Sequence, residues 1–205
     1  MTSSQQPRLV GLAGGSGSGK STLARALATT CDAVILPQDA YYRDLSSLTA
    51  AARQHWNFDT PDAFDWERFV ADLTELTEGM AVRRPVYDFV SHTRTGDTAL
   101  VTPTRLVVVE GLLILHDARC RDLFDLSVFL DLDQETALAR RVDRDRQQRG
   151  RDAAEVRRRF ERDVQPMFER WVAPTRRWAT LHLSGARPIA ELVERIRDAL
   201  AQSTA

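Results

Sequence analysis

Gly14-Gly15-Ser16-Gly17-Ser18-Gly19-Lys20-Ser21 satisfies the pattern G-x-x-x-x-G-K-[ST], and the reading of this stretch decides the fold. The pattern needs a strand before it and a helix after it. Arg8-Leu9-Val10-Gly11-Leu12-Ala13 reads as a short buried strand, and Thr22-Leu23-Ala24-Arg25-Ala26-Leu27-Ala28 as a helix with Leu23 and Leu27 on one face. Glycines in such a loop let the backbone turn its N–H groups onto phosphate oxygens, and the following helix N-terminus adds a partial positive charge. Residues 14–22 are therefore expected to cradle a polyphosphate, with Lys20 reaching the β- and γ-phosphates and the Ser21 hydroxyl ligating Mg²⁺. A flexible Gly/Ser linker would not continue into Lys-Ser and an apolar helix. Lys20 is also the only lysine among 28 basic residues.

Working outward, Ala33-Val34-Ile35-Leu36 is a second apolar run, stopped by Pro37. Asp39 follows at the strand end that faces the ligand crevice of a parallel α/β sheet. A carboxylate there can take a proton from a substrate hydroxyl, or simply cap a turn. Residues 45–57 read as a polar, partly helical connection. A cap at Asp62 would start a helix carrying Phe69, Val70, Leu73 and Leu76 and closed by Gly79. Tyr87 and Phe89 alternate in an extended segment that ends near His92, a pattern of one buried strand face or of rings that sandwich a planar group.

Arg105 to Val109 is a continuous β-branched run ending in Glu110, where an acid would hold the hydration shell of Mg²⁺. Asp125 to Asp131 is another buried strand. From Gln134 to about Gln148 the pattern is helical, and Arg141 falls on its apolar side after Ala137 and Leu138, with Arg144 continuing that face. An inward arginine needs an anionic partner, which a triphosphate supplies. Arg149-Gly150-Arg151 follows where the helix should break, and residues 144–155 read as an arginine-rich lid. Arg146, Arg157 and Arg158 read as surface. Ala153 to Trp171 is expected to be a helix kinked at Pro166, followed by a strand at Leu181 and Leu183 and a helix from Ile189 to Leu200. Alternating strands and helices imply a parallel sheet covered on both faces.

A net charge of -1 gives no field that would draw nucleic acid or an anionic membrane. Cys31 and Cys120 form no framework, which suits a reducing cytoplasmic setting, and no apolar run approaches membrane-spanning length. One domain over 1–205 is expected, with substrate-binding insertions at about 40–65 and 83–100. The four histidines show no metal-ligand spacing.

The chain resembles the uridine/cytidine kinases over about residues 8–183. The resemblance is carried by the loop at 14–21, Gln-Asp-Ala-Tyr-Tyr-Arg-Asp at 38–44 and Asn-Phe-Asp-Thr-Pro-Asp-Ala-Phe-Asp at 57–65. Further carriers are Tyr-Asp-Phe-Val-Ser-His-Thr-Arg at 87–94, Glu-Gly at 110–111, the arginine-rich block at 140–152 and Pro-Met-Phe at 166–168. It implies a five-stranded parallel sheet of order 2-3-1-4-5 flanked by helices, and transfer from ATP·Mg²⁺ to a ribose 5′-hydroxyl in pyrimidine salvage. By the same resemblance Asp39 is the base, with Tyr42 beside it, and Asp59 and Arg141 hold the ribose hydroxyls. Phe58, Tyr87, Phe89 and His92 form the base pocket, and Arg144, Arg149 and Arg151 neutralise the transferring phosphoryl group. A homo-oligomer, a tetramer in the family, is implied as well.

Thr60, Arg159 and Thr180 depart from the family pattern, at a usual His, Gln and Asp. Two other classes compete. A related kinase of phosphoribulose, pantothenate or nicotinamide riboside should lack the ring pocket. A non-catalytic nucleotide-binding regulator should have lost Asp39 or Glu110, and a guanine-binding N-K-x-D is impossible with one lysine.

Overall fold

The computed structural model describes residues 6–149 and 152–203, without the side chains of 148 and 149. Its centre is a five-stranded, all-parallel sheet: β1 (Arg8–Gly14), β2 (Ala33–Pro37), β5 (Leu106–Glu110), β6 (Leu126–Asp131) and β7 (Leu181–Ser184). The spatial order is β2-β5-β1-β6-β7. Counting only these strands along the chain, that is 2-3-1-4-5, the order the resemblance implies.

Period-2 alternation of side chains explains why β5 is apolar throughout. Val107 and Val109 face one side with Leu9, Ala13, Leu36 and Phe129, while Val108 faces the other with Val10, Leu12 and Val128. The second side is covered by α1 (Lys20–Cys31) through Leu23, Ala24 and Leu27, and by α8 (Ile189–Gln202) through Leu192, Val193 and Ile196. The first is covered by α3 (Trp66–Thr77) through Phe69, Leu73 and Leu76, together with Leu113, Ile114, Leu115 and Val172. A third, smaller cluster of Ala137, Phe160 and Val164 joins α5 (Gln134–Arg149) to the segment that begins with α6 (Ala153–Arg159). Short helices α2 (Ala50–Gln54) and α4 (Ala118–Arg121) complete the periphery. No described helix is long and apolar enough to cross a membrane.

Three local readings differ from expectation. The α3 cap is Asp65, whose Oδ1 accepts from the Arg68 N–H at 3.3 Å, rather than Asp62. Asp62 lies in a separate 3₁₀ turn, Pro61–Ala63, because extended Phe64 pairs with Tyr42 before the helix begins. The segment after α6 does not simply kink at Pro166. It runs as two π-helical stretches, Phe160–Val164 and Phe168–Val172, around the single turn α7 (Gln165–Met167), a register that accommodates the missing proline N–H. Tyr87 and Phe89 belong to a hairpin, β3 (Val82–Asp88) and β4 (Thr93–Val101), that stands apart from the main sheet.

Gly185, just past β7, shows how tightly the loop is seated. A Cβ there would lie 2.3 Å from the Ser18 carbonyl oxygen, a backbone atom with nowhere to go. Gly185→Ala is expected to destabilise the fold by about 1–3 kcal/mol. Thermal unfolding reads this as a fall in Tm of roughly 2–4 °C per kcal/mol, and an unchanged Tm would show that the loop can move away.

Candidate active site

The parallel register brings the candidate groups to one edge. Pro37 pairs with Glu110 and Leu12 pairs with Glu110 across the neighbouring ladder, so β2, β5 and β1 end side by side. Strands are about 4.8 Å apart, which puts Asp39, Glu110 and the loop opening at Gly14 around one crevice.

The loop itself needs glycine at Gly17, which has φ +85° and whose Cβ would meet the Ala137 carbonyl at 2.7 Å. Arg140 secures the same contact, its Nη1 donating to the Gly17 and Gly185 carbonyls at 3.4 and 3.0 Å. Gly19 caps α1 in a left-handed conformation and offers no side-chain acceptor. The first-turn N–H groups therefore face the loop cavity, ready for an anion. The Ser18 hydroxyl is buried there with no partner among the described residues.

Lys20 points back into this loop, its Nζ donating to the Gly15 carbonyl at 2.8 Å. Burial lowers its pKa, against the pull of Glu110, Asp39 and Asp59, while the Arg144 charge adds to the lowering. Burial likewise raises Glu110 and Asp59, opposed chiefly by Lys20 for the first and Arg141 for the second. The charges of Lys20, Arg141 and Arg144 thus balance the carboxylates of Glu110, Asp59 and the more exposed Asp39. The Ser21 hydroxyl donates to Glu110 Oε1 at 3.1 Å, so a hydroxyl and a carboxylate oxygen already meet where the motif expects a cation. Among the described residues no group of three His, Cys, Asp or Glu side chains is placed to hold a metal ion by itself. Two protein oxygens supplemented by phosphate and water is the way Mg²⁺ is commonly held, so the donor set fits it.

Beyond the crevice lies an aromatic slot. Phe58 stacks on His92 with centroids 4.8 Å apart and 22° between planes. Tyr42 stacks on Phe64 at 4.5 Å and stands edge-on to Phe58 at 5.1 Å, and Tyr87 closes the group 5.3 Å from Tyr42. The buried Tyr87 hydroxyl has no partner among the described residues. The Tyr42 hydroxyl faces Asp39, and burial followed by the Asp39 charge holds it protonated. Phe89 touches Tyr87 at 5.3 Å but sits in the hairpin turn, 50% exposed, and makes no ring contact with Phe58 or His92. The geometry therefore brings Tyr42, Phe58, Tyr87 and His92 together and leaves Phe89 at the rim.

From α5, Arg141 Nη1 donates to Ser16 Oγ at 2.9 Å while its charge acts on Asp59, so one guanidinium spans the phosphate loop and the slot. Arg144 faces Lys20. Arg151 and the Arg149 side chain lie outside the described residues. Arg146, Arg157 and Arg158 are exposed, as expected.

The frame that holds the slot leaves little trace in the sequence. His92 has φ +56°, a strained conformation fixed by a turn in which the Asp88 carboxylate accepts from Val90 N, Ser91 N and Ser91 Oγ at 2.9, 3.2 and 2.6 Å. Arg94 ties the hairpin down, donating to the Tyr42 carbonyl at 3.0 Å and to Asp65 at 3.0 Å, while its N–H bonds Asp44 at 3.2 Å. The Asp-x-x-Ser spacing at 88–91 was a signal for that turn. Nothing local in the sequence pairs Arg94 with Asp65.

Fold and site together define the P-loop kinase class. Among solved structures, a putative fructose transport system kinase from Silicibacter sp. TM1040 superposes with a TM-score of 0.70 at 26% identity, covering 89% of this chain and 93% of that one. A possible uridine kinase from Bacillus stearothermophilus shares the fold, with TM-score 0.58 at 19% identity over 88% and 90% of the two chains. Residues 9–186 match the Phosphoribulokinase / Uridine kinase family, and the chain belongs to it. Its relatives include the uridine kinase of Leuconostoc citreum, 38% identical with 86% of each chain covered. Another is that of Brevibacillus brevis, 42% identical over 84% of this chain and 82% of the relative.

Proposed function

We propose that this protein transfers the γ-phosphoryl group of ATP to the 5′-hydroxyl of uridine and cytidine, as a pyrimidine-salvage kinase. The observation that carries the reading is the Phe58–His92 ring pair facing the Lys20/Asp39/Glu110 crevice through Tyr42. A flat ring held in the slot would place a ribose at Asp59 and Arg141 and its 5′-hydroxyl toward Asp39.

In this reading Asp39 orients that hydroxyl and accepts its proton as the oxygen attacks. Residues 14–22 hold the triphosphate through backbone N–H groups and Lys20, and Lys20 and Arg144, with Arg149 and Arg151 from the lid, balance charge on the transferring group. Ser21 and Glu110 would hold Mg²⁺, which supplies charge neutralisation at the phosphates. His92 can donate to O4 of uracil or accept from the N4 amine of cytosine, so both nucleosides are substrates. A homotetramer acting in the cytoplasm belongs to the same reading.

The test is ADP release from ATP and Mg²⁺ against uridine, cytidine, adenosine, pantothenate, ribulose 5-phosphate and nicotinamide riboside. Turnover confined to the pyrimidine nucleosides is expected. Turnover only with a sugar phosphate or pantothenate would keep the kinase chemistry and remove the ring slot from recognition. His92→Tyr should lower kcat/KM for uridine relative to cytidine by roughly 10-fold or more, the cost of a lost polar contact in a dry pocket. An unchanged ratio would take His92 out of base recognition.

A further inference from the structure

The reading above gives no task to Asp145, yet this carboxylate is fully buried on α5. Burying a carboxylate is costly unless it is paired, and Asp145 is paired with its own neighbour. Its Oδ1 accepts a hydrogen bond from Arg144 Nε at 3.0 Å and forms an ion pair with Arg144 Nη2 at 2.9 Å. A hydrogen bond and an ion-pair contact from one edge of the guanidinium, both to Oδ1, restrict where the Arg144 head can lie. Residues i and i+1 diverge on a helix, so the Arg144 side chain must fold back along α5 to make both contacts. Among the described residues it bonds to Asp145 alone. Arg144 is one third exposed and follows Arg141 by three residues on the same face of α5, and Arg141 bonds Ser16 of the phosphate loop, so the head that Asp145 grips lies on the loop side of the helix.

We propose that Asp145 is a positioning residue for the transfer: its buried carboxylate holds the Arg144 guanidinium in the pose that meets the moving phosphoryl group beside Lys20. The inference rests on the role given to Arg144 above. Charge arithmetic points the other way, which makes the idea decidable. A carboxylate beside the phosphate site subtracts from the positive field, so on electrostatics alone its removal should favour ATP and speed transfer. If orientation matters more, removal frees a long side chain to sample rotamers and slows transfer.

Asp145→Asn keeps the shape but replaces the charged acceptor by a neutral amide, which holds a guanidinium far more weakly. The expected result is a kcat lower by roughly 10- to 100-fold, the cost of misplacing a catalytic group by about an ångström, with KM for the nucleoside unchanged. In an Arg144→Ala background the same substitution should cost nothing further in kcat, because there is no guanidinium left to orient. A wild-type or faster kcat for Asp145→Asn overturns the proposal, as do losses that multiply in the double variant, which mark a merely structural carboxylate. Should the Asn variant not fold, Asp145→Ser completes the same cycle. Arg144→Ala with full kcat would instead remove Arg144 from the reaction, and the positioning role with it.

Discussion

Asp39→Asn is expected to lower kcat by roughly 10²- to 10⁴-fold while leaving KM for ATP nearly unchanged. The expectation comes from where the sheet puts the residue. β2 ends at Pro37 opposite Glu110, and the 3₁₀ turn Gln38–Tyr41 then carries Asp39 outward while its neighbours Gln38, Ala40 and Tyr41 turn inward and are buried. Gln38 anchors that turn, its Oε1 accepting from Leu113 N at 2.9 Å, so the carboxylate is delivered by a rigid support. The amide in Asn cannot accept the hydroxyl proton but preserves the shape, so the loss falls on the chemical step. Steady-state kinetics with saturating ATP checks this, and a kcat within about threefold of wild type is too small a change for a lost general base.

Lys20→Met is the second large effect. Removing one preorganised charge aimed at the transferring group costs on the order of 10²- to 10³-fold in kcat, and here KM for ATP should rise as well. The Lys20 side chain is almost closed to water: it is 9% exposed and burial lowers its pKa despite three nearby carboxylates. No solvent charge can take the place of the ammonium, so the full electrostatic contribution is lost. Met matches the length of the stem, and the fold should be at least as stable without a buried ammonium. Retained kcat with a lowered Tm would mean that the Gly15 contact, rather than phosphate, is what Lys20 is for.

The two effects separate the parts of the site that could be read along the chain from those that could not. The loop at 14–21 announced itself because its chemistry is local: glycines, Lys20 and Ser21 lie within one turn of backbone. Val107 to Glu110 was equally legible, since a strand buried on both faces leaves no room for a polar residue before its tip. Asp39 and Glu110 could be named but not joined until the ladder paired Pro37 with Glu110. The β3–β4 hairpin was half read, through the Tyr87/Phe89 alternation. The turn that reverses it depends on His92 adopting a positive φ, and the aromatic spacing carries no trace of that. The resemblance implied Phe89 in the base pocket with Phe58, and the turn sets it at the rim. Asp145 was invisible for a related reason: in an arginine-rich helix an adjacent acid reads as surface balance until burial shows otherwise.

In the proposed reaction the crevice moves a phosphoryl group onto the 5′-oxygen of a pyrimidine nucleoside. Incubating the protein with ATP, Mg²⁺ and uridine, and assigning the products by ³¹P NMR, tests it most directly. The account predicts uridine 5′-monophosphate in equal amount with ADP. ADP accumulating with free phosphate and no nucleoside ester, or an ester at the 2′- or 3′-oxygen, would contradict it.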